Sequence, residues 1–210
     1  MKVFLFLNGN SPNPEVVRRS INKKSFLIAA DGASNYLKRL NILPDVIIGD
    51  LDSIRKTTFE HYKAKKVQII KITEQETTDF EKCLKYCIKK NLKDITVFGA
   101  VSERPDHTLN NFSVLKKFHS KCSIRIISGE YEVLFIKKKI SFGYKMNETI
   151  SLLALPVAEG ISTTGLQYPL LNESLGFGIR EGTLNKSISE KITISFKSGS
   201  LLLFKKHFIL

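Results

Sequence analysis

Short apolar runs alternate with stretches of helical periodicity through residues 1–128. Val3–Leu7, Phe26–Ala30, Val46–Ile48, Val67–Ile72, Ile95–Phe98 and Ile124–Ile127 are brief and rich in branched or aromatic side chains, as buried strands are. Between several of them, Ser34–Leu40, Asp79–Lys90 and Thr108–Phe118 carry apolar residues at spacings of three and four, the period of an amphipathic helix. This alternation predicts an α/β domain, a mostly parallel, doubly wound sheet covered by helices. After Gly129 the helical period disappears. Glu132–Ile136, Ile140–Tyr144, Thr149–Leu155, Lys191–Phe196 and Ser200–Phe204 are short β-rich runs punctuated by Gly, Asn, Ser and Pro. They predict a C-terminal antiparallel β-sandwich. The expected domains are therefore 1–128 and 129–210, with no linker or repeat between them.

A chain of 210 residues with 42% hydrophobic content is long enough for one large or two small cores. No run approaches the ~20 apolar residues of a membrane span, so no membrane partner is expected. The opening run, Met1–Leu7, is shorter than a signal-peptide core and ends in the turn-like Asn8-Gly9-Asn10, which marks it as a first strand. Cys83 and Cys87 are four apart on the stripe of Phe80, Leu84 and Ile88, a core pattern and not a zinc site. An odd number of cysteines and no secretion signal predict a reducing, cytoplasmic setting. The formal charge of +13, from 33 basic and 20 acidic residues, attracts anions, but its lysine pairs are scattered along the chain.

The densest chemistry is Gly49-Asp50-Leu51-Asp52-Ser53, directly after the run Val46–Ile48. Ligands of parallel sheets bind beyond the carboxyl ends of strands. Two acids there repel each other unless a cation joins them, and hard cations such as Mg²⁺ take carboxylate and phosphate oxygens together. A turn or helix cap is the plain structural use of the same residues. Other predicted strands also end in suggestive residues: Asp31-Gly32, Thr73-Glu74-Gln75 and Gly99, all on one edge if the sheet is parallel.

Two further segments add to this edge. Thr78 and Glu81 have capping-box spacing, which puts Asp79 on a first helical turn as a third acid for a metal. Arg104-Pro105-Asp106-His107 follows the strand Ile95–Phe98. An arginine fork suits phosphate, Asp106 or Thr108 suits a helix cap, and His107 is either structural or a donor to phosphate or leaving group.

Taken together, these segments resemble the thiamine pyrophosphokinase (thiamine diphosphokinase) family. The matching blocks are Ala30-Asp31-Gly32-Ala33-Ser34-Asn35-Tyr36-Leu37, Leu43-Pro44-Asp45 through Gly49-Asp50-Leu51-Asp52-Ser53-Ile54, Thr77-Thr78-Asp79, Arg104-x-Asp106-His107-Thr108-Leu109-x-Asn111, and Gly165-Leu166-Gln167-Tyr168-Pro169-Leu170. The resemblance implies transfer of pyrophosphate from ATP to the hydroxyl of thiamine, giving thiamine diphosphate and AMP. It implies Mg²⁺ as cofactor and a homodimer with thiamine pockets near the subunit interface. It assigns the metal to Asp50, Asp52 and Asp79, with Asp31 lining the same catalytic cleft. Gln75, Arg104, Asp106 and His107 fall to ATP, and Thr183 and Asn185 to thiamine. The N-terminal domain is then the ATP- and Mg²⁺-binding catalytic domain, and the C-terminal domain binds thiamine and dimerises. Two positions depart from the family pattern: Ser102-Glu103 stands where the family has Gly-Gly, and Leu184 where it has serine. Two other readings stay open here. One is a pyrophosphokinase for another alcohol, such as a hydroxymethyl-pterin, since a metal motif does not read the acceptor. The other is a basic nucleic-acid-binding module. Clustered acids oppose a phosphate backbone, so no nucleic-acid partner is expected.

Overall fold

In the computed structural model, which describes residues 1–210, the chain forms two units, Met1–Gly129 with Ile209–Leu210, and Glu130–Phe208. The first unit alternates β1 (Lys2–Phe6), α1 (Pro14–Ser20), β2 (Phe26–Ala30), α2 (Ala33–Arg39), β3 (Val46–Gly49), α3 (Lys56–Ala64), β4 (Gln68–Lys71), α4 (Asp79–Lys89), β5 (Asp94–Phe98), α5 (Pro105–Phe118) and β6 (Ser123–Ser128). Its strands lie in the order β4-β3-β2-β1-β5-β6, every neighbouring pair parallel. Parallel strands covered on both faces read as near-continuous apolar runs, and Val3 to Phe6, Ile28 to Ala30 and Val46 to Ile48 are all buried. Phe4, Phe6, Val17, Leu37, Ile47, Tyr62 and Phe98 meet in one cluster.

The strand order runs outward from β1 to β4 on one side and from β5 to β6 on the other. The carboxyl ends of β1 and β5 therefore flank the point where winding reverses, where such folds open a crevice. At that point the two departing loops run backbone against backbone. Leu7 N–H donates to the Phe98 carbonyl at 2.8 Å and Gly9 N–H to the Gly99 carbonyl at 3.0 Å. A Cβ on Gly99, whose φ is +72°, would stand 2.2 Å from the Leu7 carbonyl oxygen, so only glycine fits there.

Helix α4 carries the cysteine stripe. Phe80, Cys83, Leu84 and Cys87 are buried in the core, while Ile88 is exposed and lies off the stripe expected from spacing alone. Thr78 caps the helix by accepting from the Glu81 N–H at 3.4 Å. The Glu81 carboxylate instead joins Lys117 of α5 at 2.7 Å and Lys85 at 3.2 Å. Its side chain thus fastens α4 to α5, where a capping box would have turned it back to the cap.

The second unit is wholly antiparallel. It comprises β7 (Tyr131–Ile136), β8 (Lys139–Gly143), β9 (Thr149–Thr164), β10 (Leu171–Gly176), β11 (Gly182–Lys186), β12 (Lys191–Ser195) and β13 (Ser198–Lys206). The order is β7-β13-β9-β12-β8, and β10 and β11 both pair with β9. Ile150, Leu152 and Ala154 alternate inward along β9, the period of a half-buried strand. They pack with Ile192, Ile194, Leu201 and Leu203 in a second core. No helix in the chain is long and apolar enough to cross a membrane.

Candidate active site

The acids at the strand ends converge because the backbone is small and bent where they meet. A Cβ on Gly49 would stand 2.7 Å from Asp31 Cβ and 3.3 Å from the Asp79 carboxylate oxygens, so the glycine ending β3 leaves the space into which both acids pack. Leu51 then adopts φ +68°, a conformation that is unusual for a large L-residue. It turns the chain sharply between Asp50 and Asp52.

Asp31, only 2% exposed, clasps that turn. Its carboxylate accepts from the Ser53 N–H at 2.9 Å and the Ile54 N–H at 3.1 Å. Burial pushes its pKa up to about 6, opposed by the Ser53 N–H and assisted by hydrogen bonding to Asp52 and the charge of Asp79. Asp79 opens α4, where burial also raises its pKa against the lowering effect of Lys82. Asp50 is held below the usual carboxylate range, first by the hydrogen bond from Gln75, whose Nε2 donates at 3.2 Å.

Asp31, Asp50 and Asp79 each offer an oxygen within 4.8 Å of the others. Asp52 lines the same cleft and accepts from the Ser53 hydroxyl at 2.8 Å. The donor set fits a hard divalent cation. Its ligand atoms are all oxygen, and burial and like charge disfavour ionisation of two of the acids, a cost that a bound cation offsets.

The cleft has a volume of about 590 Å³, within the size range of small-ligand sites. Asp50, Asp52, Asp79, Gln75, Arg104 and His107 line it. Asp31 lies behind this wall, and Asp106 meets the cleft through Arg104. The Arg104 fork is closed on Asp106, with Nη2 at 2.6 Å and Nε at 3.2 Å. The pairing lowers the Asp106 pKa. Ser102 braces this loop. Its hydroxyl donates to the Arg104 carbonyl at 3.1 Å, and its N–H donates to Thr108 Oγ1 at 3.0 Å. Asn111 ties α5 to the same loop through the Ala100 carbonyl at 2.7 Å.

Thr183 and Asn185 belong to β11 of the second unit. Thr183 is exposed. Asn185 is buried and clamps the Gly165–Leu170 turn: its Oδ1 accepts from Tyr168 N–H at 3.1 Å and its Nδ2 donates to the Tyr168 carbonyl at 2.7 Å. Leu184 lies between them at φ +58°, turned out to solvent.

Sequence reasoning passed over Asn8-Gly9-Asn10 and Lys82, which also line the cleft. The Asn-Gly-Asn segment reads as an ordinary turn until β5 is seen to pair with β1. Lys82 reads as one solvated lysine among many, although one turn beyond Asp79 on the same helix is the signal that marks it.

Comparison with known proteins places this geometry. Residues 17–127 match the family model described as thiamin pyrophosphokinase, catalytic domain, and residues 135–201 match thiamin pyrophosphokinase, vitamin B1 binding domain. Thiamine pyrophosphokinase 1 of Oryza sativa subsp. japonica is 32% identical over 79% of this chain and 67% of its own length. Thiamin pyrophosphokinase 1 of Caenorhabditis elegans is 28% identical over 87% and 79%. The crystal structure of thiamine pyrophosphokinase from Bacillus subtilis superposes with a TM-score of 0.88 at 22% identity, covering 99% of this chain and all of that one. The yeast thiamin pyrophosphokinase structure gives 0.82 at 21%, covering 99% and 88%. With one family model spanning more than half of its residues and a second covering most of the remainder, the chain belongs to the thiamin pyrophosphokinase family.

Proposed function

We propose that this protein transfers pyrophosphate from ATP to the hydroxyl of thiamine, releasing thiamine diphosphate and AMP. The observation that carries the reading is the convergence of acids at the mouth of a cleft beside the reversal point of a parallel sheet, in a chain of this family. The thiamine hydroxyl oxygen attacks the β-phosphorus, and the bond from that phosphorus to the oxygen bridging it to the α-phosphorus breaks. AMP leaves, and the hydroxyl proton passes to the acid cluster.

Asp50, Asp52 and Asp79 would hold Mg²⁺, with Asp31 as the adjoining fourth carboxylate. Bound there, the ion would neutralise phosphate charge that otherwise repels an oxygen nucleophile. Asp31 has a second task, since its two backbone contacts fix the turn that carries Asp50 and Asp52. Gln75 orients Asp50 and reaches toward phosphate. Arg104 offers its fork to the nucleotide once it releases Asp106, and His107 adds a donor on the same helix. Holding both substrates in line contributes up to about 7–11 kcal/mol in well-oriented systems.

Thiamine falls to the antiparallel unit, with Thr183 on β11 as a polar contact and Asn185 acting through the Gly165–Leu170 turn that it clamps. Support comes from the match of this unit to the vitamin B1 binding model. We read the unit as a sandwich, because β9 changes partners along its length: its first half pairs with β11 and most of β13, its second half with β10, β12 and the start of β13. We read the active form as a homodimer. Tyr168, Leu171, Phe177, Ile179 and Leu184, 60% to 82% exposed, concentrate within a short stretch of this unit, and exposed apolar concentrations mark association surfaces. The buried thiols of Cys83 and Cys87 support a reducing, cytoplasmic setting, which cell fractionation checks.

The deciding experiment incubates the protein with Mg²⁺, ATP and thiamine, or a hydroxymethyl-pterin in place of thiamine, and identifies products by mass. AMP with thiamine diphosphate is the expected result. Diphosphorylation of the pterin alone, or ADP as the nucleotide product, would overturn the reading.

A further inference from the structure

Lys82 is the least comfortable charge in the first unit. Its side chain is 3% exposed, on a helix that also buries Phe80, Cys83 and Leu84. A buried ammonium needs a close counter-charge and acceptors for its three N–H groups. Lys82 Nζ has one acceptor, Asp79 Oδ1, at 3.4 Å, well beyond the roughly 2.7–2.9 Å of a charge-assisted contact. Yet it forms part of the cleft wall, and its position three residues after Asp79 aims it toward the acid end.

We propose that Lys82 is a phosphate-binding residue: its ammonium takes an oxygen of the pyrophosphoryl group that is transferred from ATP. This deepens the function proposed above and rests on it for the identity of the substrate. Two features favour an anion of many oxygens over a purely structural role. A lysine that only balanced Asp79 would close on it, as Lys117 closes on Glu81 at 2.7 Å. Solvent does not satisfy the remaining donors either, because the side chain is almost wholly covered. A phosphate oxygen entering from the cleft supplies the close, charged acceptor that Asp79 at 3.4 Å does not. Ammonium groups serve phosphates in this way as compact point charges.

The test compares the parent with Lys82→Met and Lys82→Arg, full length and with Mg²⁺ present. Titration calorimetry measures inorganic pyrophosphate and thiamine, and turnover gives kcat and the KM for ATP. Lys82→Met should keep its circular dichroism spectrum and its thiamine affinity. It should bind pyrophosphate about 10- to 100-fold more weakly, the loss expected for a charged hydrogen bond. Its kcat should fall by about 10²–10³, and Lys82→Arg should recover part of both. A folded Lys82→Met protein with parental pyrophosphate affinity and kcat would overturn the proposal. Should the methionine variant not fold, the lysine side-chain ¹⁵N resonances of the parent decide. The resonance missing from Lys82→Arg must move when pyrophosphate is added, and an unmoved resonance overturns the proposal. A parent that binds pyrophosphate through Lys82 but makes no thiamine diphosphate would refute the acceptor and leave the Lys82 role standing.

Discussion

The acids of the cleft are not interchangeable, although they sit within a few ångströms of one another. Asp50, Asp52 and Asp79 face the cleft, so Asn at any of them should lower turnover by about 10²–10³, the usual cost of one lost charge-stabilising contact. The fold should persist, since none of the three carries the turn. Parental turnover of all three variants at saturating Mg²⁺ would refute their metal role. Asp31 behaves differently because it is buried and holds the turn. Its folded pKa, about 6, lies above the ordinary value of 3.8. The folded state therefore holds this proton more tightly than the unfolded chain does. The associated stability is full below the ordinary carboxylate range and is lost as pH rises through about 6. For this group the loss is on the order of 2–3 kcal/mol. In chelator-treated protein the melting temperature should fall between about pH 4 and pH 6. Mg²⁺ should reduce the fall by favouring the ionised cluster. A metal-free melting temperature that climbs steadily over that interval would contradict this account.

At the scale of elements, α4 links core and site, because one face carries Cys83 and Cys87 while its first turns carry Asp79 and Lys82. The Cys83→Ala, Cys87→Ala double variant should lose about 1 kcal/mol per site through lost packing and keep its turnover once folded. Zinc bound stoichiometrically by the parent and absent from the variant would show the thiols to be ligands. Elements with strong periodicity were legible from sequence: the helix beginning at Asp79 and the strands ending at Ala30, Gly49 and Phe98 lie where apolar spacing puts them. Helix α1 escapes periodicity analysis because its buried residues are only the adjacent Val16 and Val17, and α3 because it buries only Thr58 and Tyr62. Strands β10 and β11 are hidden for another reason. Both pair with β9 through register shifts, which break the alternation that marks a regular strand. The D-x-D segment was legible because its strand is local. The Asn8–Asn10 part of the cleft was not, because it depends on β1 and β5 becoming neighbours across some ninety residues of chain.

At the scale of the whole molecule, the dimer reading sets two surface properties against each other. Each chain carries a formal charge of +13, so bringing two together is electrostatically unfavourable and the repulsion is screened by salt. The apolar side chains between Tyr168 and Leu184 supply the opposing attraction if they are buried on association, at roughly 25 cal/mol per Å² removed from water. A stable interface of this kind covers about 1,200–2,000 Å² in total. In sedimentation at assay concentration the parent should run at twice the chain mass, and the dimer should tighten as salt is raised from low to physiological ionic strength. Phe177→Glu with Ile179→Glu places two charges in the proposed contact and should shift the protein to monomer, with turnover falling alongside. Weakening of the dimer by salt would point instead to an interface held by ion pairs. A parent that is monomeric and fully active at the same concentration would refute the assembly, and would leave thiamine to be bound within a single chain.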